Sequence, residues 1–143
     1  MARGMQRIVV GVDGSAGALA ALRWAVVEAR LREAEVDAVH AWSYPPLTSV
    51  PGLVPPPTFA RGELADRAQT ILDQACDSVD GRQVVLNRVV EEGSAARCLL
   101  DTAKGADLLV VGSRGRGGFA GLLLGSVGQH CATHAPCPLV IVR

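Results

Sequence analysis

Short apolar runs alternate along this chain with longer segments in which apolar residues recur at every third or fourth position. The short β-branched runs indicate strands buried on both faces, and the longer pattern indicates helices that bury one side. The predicted strands are 7–13, 35–41, 83–90, 107–112 and 139–142, and the predicted helices are 16–32, 63–79, 94–105 and 126–135. The first helix has a clear apolar stripe, formed by Leu19, Leu22, Val26 and Ala29 and widened by Trp24, Val27 and Leu31.

Strands that alternate with helices at this spacing predict a single α/β domain over residues 1–143, with a five-stranded parallel sheet and helices on both faces. Right-handed crossovers and a doubly wound topology give the strand order 3-2-1-4-5. In this order the first and fourth strands are neighbours, and the chain reverses direction between them. Ligands bind outside the carboxyl ends of strands at such a switch point, where Asp13 and Gly112 are predicted to meet.

Residues 42–59 hold six of the eight prolines and fit neither pattern. Proline donates no backbone hydrogen bond and resists helix interiors, so this segment is predicted to be a long, mobile connection.

Glycine dominates the segment that follows the fourth strand. Residues 112–128 hold seven of the sixteen glycines, together with Arg114 and Arg116. A strand, a glycine-rich loop and a helix start form an anion site, because glycine permits close approach or positive φ and first-turn N–H groups point at the anion. Arginine adds charge-assisted hydrogen bonds to phosphate. The spacing fits neither the Walker A loop nor the dinucleotide fingerprint, G-x-G-x-x-G.

The spacing that is present, Gly112-x2-Gly115-x9-Gly125-Ser126, resembles the ATP-binding motif of the universal stress protein family. The resemblance extends to I-V-V-G-V-D-G-S at 8–15 and A-P-C-P-L-V-I-V-R at 135–143, and so covers nearly the whole chain. It implies an adenine nucleotide alpha hydrolase-like fold and a module that binds ATP with Mg²⁺ or Mn²⁺. The residues that it implies around the nucleotide are Val12, Asp13, Ser15, Ala41, Gly112, Arg114, Gly115, Gly117, Gly125, Ser126 and Val127.

Within this set, the resemblance implies that Asp13 lies near the ribose or a metal and that Ala41 meets adenine through its backbone. Three functions remain open: a binding module with slow or no hydrolysis, a slow ATPase or phosphotransferase, and a cyclic-nucleotide (cAMP) module. Residues 112–126 contain no Glu, Gln or His that could orient a water molecule. This absence favours holding the nucleotide over cleaving it, because phosphoryl transfer needs a positioned nucleophile.

Composition and charge indicate which binding partners and which cellular compartment to expect. Acidic and basic residues balance at 14 each, so the chain has no electrostatic footprint for nucleic acid or an anionic membrane. The apolar runs fall far short of the ~20 residues that span a bilayer, and the N-terminus lacks the apolar region of a signal peptide. The four cysteines form no C-x-x-C pair and are expected to be reduced and mostly buried. A cytoplasmic protein is predicted.

Two further features concern assembly and metal binding. The fifth strand, 139–142, is apolar and lies at an edge of the predicted sheet, which favours pairing with a second copy in a homodimer. His130 and His134 are four residues apart on one helix face and could ligate zinc, but Cys131 stands where a zinc protease has Glu. Packing or solvent-facing histidines are therefore the favoured interpretation.

Overall fold

The computed structural model of the protein describes residues 4–44, 60–115 and 124–143. Strands and helices alternate along the chain: β1 Arg7–Gly11, α1 Ala16–Arg32, β2 Glu35–Trp42, α2 Arg61–Asp77, β3 Leu86–Glu92, α3 Ala95–Thr102, β4 Leu108–Gly112, α4 Ser126–His134 and β5 Leu139–Val142. The strand pairs are parallel, and their order is β3-β2-β1-β4-β5. The predicted fold class and strand order are confirmed.

Successive residues of the strands point to opposite faces of the sheet, and each face buries its own cluster. On one face, Ile8 and Val10 of β1 pack with Leu22 of α1 and Leu72 of α2. On the other face, Val9 packs with residues of α3 and α4, among them Leu99 and Cys131. The sheet therefore separates two helical layers, and the chain moves from one layer to the other between α2 and α3.

The buried face of helix α1 differs from the apolar stripe that was predicted for it. Val27 and Leu31 are 53% and 77% exposed, so the prediction that they widen the buried stripe is wrong. The physical reason is helical geometry: at about 100° per residue, Leu31 falls on the side opposite Leu22. The buried face uses small residues instead, and it consists of Ala18, Ala21, Leu22, Ala25, Val26 and Ala29.

The third strand begins three residues later than predicted and runs further. Gln83 has a φ of 66°, and the Val84 N–H donates to the Gly81 carbonyl at 3.1 Å, so a turn occupies this region. At the other end, Glu92 pairs with Trp42, which extends β2 into the predicted 42–59 loop. Residues 45–59 of that predicted loop lie outside the described residues.

Candidate functional site

A cavity of about 260 Å³ opens at the carboxyl ends of β1, β2 and β4, at the predicted switch point. After β1 the chain enters α1 on one face of the sheet, and after β4 it enters α4 on the other. Nine of the predicted site residues line this cavity: Val12, Asp13, Ala41, Gly112, Arg114, Gly115, Gly125, Ser126 and Val127. The fold thus brings together residues from four separate stretches of the sequence, while their role in nucleotide binding stays a prediction.

Two predicted site residues are not placed at the cavity. Ser15 lines a separate surface depression between α1 and α2, and its hydroxyl oxygen accepts a hydrogen bond from the Ala18 N–H at 3.1 Å. Its structural role is therefore to cap α1. Gly117 lies outside the described residues.

The cavity has an apolar wall that the glycine motif does not reveal. Ala95 and Leu99 of α3 line it together with Val39 of β2 and Val111 of β4. In the sequence these residues belong to ordinary apolar stripes, so only the packing of α3 over the sheet assigns them to the cavity.

Asp13 connects the end of β1 to both neighbouring turns. Its Oδ1 accepts a hydrogen bond from the Ser15 N–H at 2.8 Å, just before the first turn of α1. Its Oδ2 faces Gly115 in the glycine-rich segment 112–128, here called the glycine loop, because a Cβ built on Gly115 would lie 2.6 Å from that atom. Asp13 therefore stabilises the chain at the entry to α1 and also borders the cavity beside Gly115.

The motif glycines provide space rather than unusual backbone conformation. Gly112, Gly115 and Gly125 do not adopt positive φ. A Cβ on Gly112 would lie 2.8 Å from the backbone C and O atoms of Gly17. At Gly125 it would make ordinary contacts of 3.6 Å. Close packing of backbone against backbone is therefore the physical requirement at Gly112.

Short backbone hydrogen bonds hold the base of the glycine loop. The Gly125 N–H donates to the Ser113 carbonyl at 2.6 Å, which ties the two ends of the loop together. The Ser113 N–H donates to the Val142 carbonyl at 2.8 Å, which anchors the same point to β5. Ser113 and Gly125, which flank the segment between them, are therefore held together and against β5.

Helix α4 begins at the cavity without a side-chain cap. Gly125 occupies its N-cap, whereas the hydroxyls of Ser15 and Ser94 cap α1 and α3. Ser126, Val127 and Gly128 of its first turn line the cavity. First-turn N–H groups have no partner within their own helix, and together with the helix dipole they favour an anion. This end of the cavity is therefore suited to a phosphate.

On the opposite side of the cavity, His40 stabilises the turn after β1. The residue is 9% exposed, and its Nδ1 lies 2.7 Å from the Val12 carbonyl oxygen. Since a carbonyl only accepts, Nδ1 carries the hydrogen in this contact. The Val12 N–H in turn donates to the Val39 carbonyl at 2.8 Å. These bonds fix the Val12–Asp13 backbone against β2.

Across residues 4–44, 60–115 and 124–143, no group of three or more His, Cys, Asp or Glu side chains could hold a metal ion by itself. The rings of His130 and His134 stack at 4.7 Å on an exposed face, but the pair supplies fewer ligands than a zinc site takes. Asp13 provides a single carboxylate at the cavity. Mg²⁺ is commonly held by one or two carboxylates plus substrate phosphates, so this site suits such a metal only together with a nucleotide.

The four cysteines are free thiols, as predicted, and three of them are buried. Burial raises the pKa of each thiol, including that of the fully buried Cys131. Thiolate chemistry at neutral pH is therefore disfavoured at these positions. As to membranes, none of the helices in the described part of the chain is long and apolar enough to cross one.

Comparison with known proteins gives the family. A family model described as the universal stress protein family matches residues 4–143. Universal stress protein Rv2623 of Mycobacterium tuberculosis is 38% identical over 138 residues, which are 95% of this chain and 44% of the relative. Universal stress protein Rv2005c of the same organism is 37% identical over 138 residues, which are 95% of this chain and 45% of that relative. The chain therefore spans less than half the length of these curated relatives.

Solved structures agree with this assignment. A universal stress protein crystallised in complex with cAMP is 28% identical, with a TM-score of 0.70 and coverage of 99% of this chain and 98% of that chain. Universal stress protein UspA from Lactobacillus plantarum has a TM-score of 0.72 at 24% identity, covers 99% and 100% of the two chains, and supports the fold. With its sequence, topology and fold in agreement, the chain belongs to the universal stress protein family.

Proposed function

We propose that this domain binds ATP with Mg²⁺ or Mn²⁺ as a stress-response or signalling module and hydrolyses it slowly or not at all. The observation that carries the proposal is the meeting, at one cavity, of the uncapped start of α4 with the closely packed turn at Gly112–Gly115. Backbone N–H groups and an arginine at such a place are suited to a chain of phosphates.

The two sides of the cavity suit the two halves of the nucleotide. Ala41 and the apolar wall formed by Val39, Ala95 and Leu99 are suited to an adenine ring, with backbone groups of β2 at its edge. Arg114, Gly115 and the first turn of α4 are suited to the phosphates. Asp13 lies between these regions and is suited to the ribose or to a metal that the phosphates share.

The lining favours holding a nucleotide over cleaving it. Among its described residues, Asp13, His40 and Arg114 carry the ionisable side chains. One oxygen of Asp13 accepts from the Ser15 N–H, and Nδ1 of His40 is engaged by the Val12 carbonyl. Phosphoryl transfer needs a group that orients the attacking nucleophile, and both candidates already have structural roles. A single-turnover assay that gave rates near the ~1–100 s⁻¹ of kinases, abolished by Asp13→Asn, would contradict this part of the proposal.

The test of binding is Gly115→Val with ATP and Mg²⁺ in a calorimeter. The valine side chain would start 2.6 Å from Asp13 Oδ2 and extend into the cavity, so ATP binding should be lost while the fold is retained. Gly4→Val is the matched control, because a Cβ at Gly4 meets nothing within 4 Å. Equal ATP affinities in the wild type and Gly115→Val would refute the assignment.

A cyclic nucleotide is the second candidate, and the related structure in complex with cAMP favours it. The start of α4 would serve one phosphate as well as several. Competition calorimetry distinguishes the two ligands: a preference for ATP over cAMP that disappears in Arg114→Ala supports the first candidate, since cAMP carries only one phosphate.

We further propose a cytoplasmic homodimer that pairs through β5. Its four residues, Leu139–Val142, form an edge of the sheet next to β4. Ile141 is 37% exposed at this edge, and pairing would cover it. Four free thiols are typical of a reducing compartment.

A further inference from the structure

Gly17, the second residue of α1, lies directly against the glycine loop although it is not part of the loop. A Cβ built on Gly17 would lie 2.6 Å from the carbonyl oxygen of Arg114 and 3.8 Å from its carbonyl carbon. Real Cβ atoms do not approach a backbone oxygen this closely, so one of the two segments would have to move.

The same contact exists from the other side. A Cβ on Gly112 would lie 2.8 Å from the C and O atoms of Gly17 and 3.2 Å from the Ala18 nitrogen. The first turn of α1 and the turn after β4 therefore touch through backbone atoms, with no side chain between them. Because Gly115 follows Arg114, any movement of the Arg114 carbonyl also moves the Gly115 N–H.

Backbone conformation does not explain a glycine at position 17. Gly17 lies within α1 and does not have positive φ, so alanine could adopt its conformation. Glycine is less favourable than alanine inside a helix, because it loses more conformational entropy on folding. The close contact with Arg114 is thus the property of this position that requires glycine.

We propose that Gly17 is a positioning residue for phosphate binding: it seats the Arg114–Gly115 turn on α1 and so sets where that turn meets the phosphates. This inference rests on the proposed nucleotide-binding function and adds a residue that the glycine spacing does not include. It predicts that Gly17 acts on the phosphate half of the ligand and leaves the adenine half, which is proposed to lie against Ala41 and Leu99, undisturbed.

The variant Gly17→Ala tests the proposal, and the chain offers a matched control in Gly62→Ala. Gly62 is the second residue of α2, as Gly17 is of α1, and its Cβ would meet nothing within 4 Å. In calorimetry, Gly17→Ala should weaken ATP binding by about tenfold or more, the loss expected when one charge-assisted hydrogen bond is misplaced. Adenosine binding should change by less than about threefold. Gly62→Ala should leave both affinities unchanged.

Amide NMR spectra of the ligand-free proteins make the outcome independent of the nucleotide. Gly17→Ala should shift the amide signals of Ser113, Arg114 and Gly115, and Gly62→Ala should leave them in place. Unchanged signals at these residues, or equal losses of ATP and adenosine affinity, would overturn the inference. A wild type that binds no adenine nucleotide would instead overturn the proposed function, and with it the phosphate role of Gly17.

If Gly17→Ala does not fold, the wild-type crystal structure provides the decisive measurement. An ideal Cβ built there on Gly17 should fall within 3.0 Å of the Arg114 carbonyl oxygen, as it does here at 2.6 Å. A separation of 3.4 Å or more is ordinary contact and would refute the close seating of the turn.

Discussion

The contact between Asp13 and Gly115 can be tested in the ligand-free protein by Gly115→Ala. An alanine Cβ would lie 2.6 Å from Asp13 Oδ2, whereas ordinary contacts begin at 3.4 Å, so about 0.8 Å of separation must be recovered. Asp13 cannot turn away without loss, because its Oδ1 accepts the Ser15 N–H at 2.8 Å. Either this hydrogen bond breaks or the loop moves away from the carboxylate.

The expected change in unfolding free energy combines the loss of this hydrogen bond with the effect of alanine on the unfolded chain. A hydrogen bond to a charged group contributes about 1.5–3 kcal/mol, and the half-buried position of Asp13 favours the lower part of that range. Replacing glycine by alanine also raises the unfolding free energy by about 0.4–1 kcal/mol, because alanine restricts the unfolded chain. The net loss of unfolding free energy should be about 1 kcal/mol. With an unfolding entropy of about 2.1 cal/mol/K per residue over 143 residues, the midpoint of thermal unfolding should fall by about 3 °C.

A double-mutant cycle measured by urea unfolding decides whether Asp13 is the cause. In an Asp13→Ala background the clash has no partner, so Gly115→Ala should become neutral or slightly stabilising. Gly4→Ala serves as the control for the glycine-to-alanine change, because its Cβ has no neighbour within 4 Å. If Gly115→Ala destabilises the protein equally with and without Asp13, the contact does not exist as described.

Three further predictions concern the caps, the thiols and the sheet edge. Ser15→Ala should lower the unfolding free energy by about 1 kcal/mol and Ser94→Ala by less, since their hydroxyls accept at 3.1 and 3.4 Å; urea titration measures both, and a larger effect at Ser94 would contradict the geometry. Because burial raises the pKa of all four thiols, native protein should react slowly with a disulfide reagent until the pH exceeds the usual thiol pKa of about 8.5, with the half-buried Cys137 first. Rapid labelling of the buried thiols at pH 7 would refute this. Ile141→Pro should convert the proposed dimer to a folded monomer in light scattering, because the Pro138 and Val142 carbonyls accept from the Leu109 and Ser113 N–H groups and alternation leaves the Ile141 N–H pointing outward. A dimer unaffected by Ile141→Pro would exclude pairing through β5.

The strand order could be predicted because the strands have a local sequence signal and general topology rules then limit their order. Buried parallel strands such as Leu108–Gly112 are continuous apolar runs, and the handedness of the crossovers limits how such runs can be connected. The start of β3 could not be predicted in the same way. Val84 extends the apolar run, yet Gln83 adopts positive φ and Val84 closes a turn onto Gly81, so backbone geometry overrides the β propensity of this valine.

The site was predictable to the extent that its residues adjoin strand ends or carry distinctive spacing. Asp13 and Gly112 follow apolar runs, and parallel strands place such positions at one edge of the sheet. Leu99 and Ala95 gave no comparable signal, because an apolar residue on a helix has the same pattern whether it faces the sheet or a ligand cavity. The physical purpose of the glycines was predictable only in part, since spacing does not distinguish positive φ from close approach.

The contact between α1 and the glycine loop shows why motif spacing describes this site incompletely. Gly112 belongs to the motif, yet the atoms that exclude a side chain at this position belong to Gly17 and Ala18, more than ninety residues earlier in the chain. Two hydrogen bonds fix those atoms. The Ala18 N–H donates to the Ser15 hydroxyl, and the Ser15 N–H donates to the Asp13 carboxylate. Asp13 therefore affects the cavity twice, through the carboxylate beside Gly115 and through the helix turn on which the Arg114 carbonyl rests. Replacing Asp13 should consequently alter phosphate binding even if its carboxylate never contacts the nucleotide.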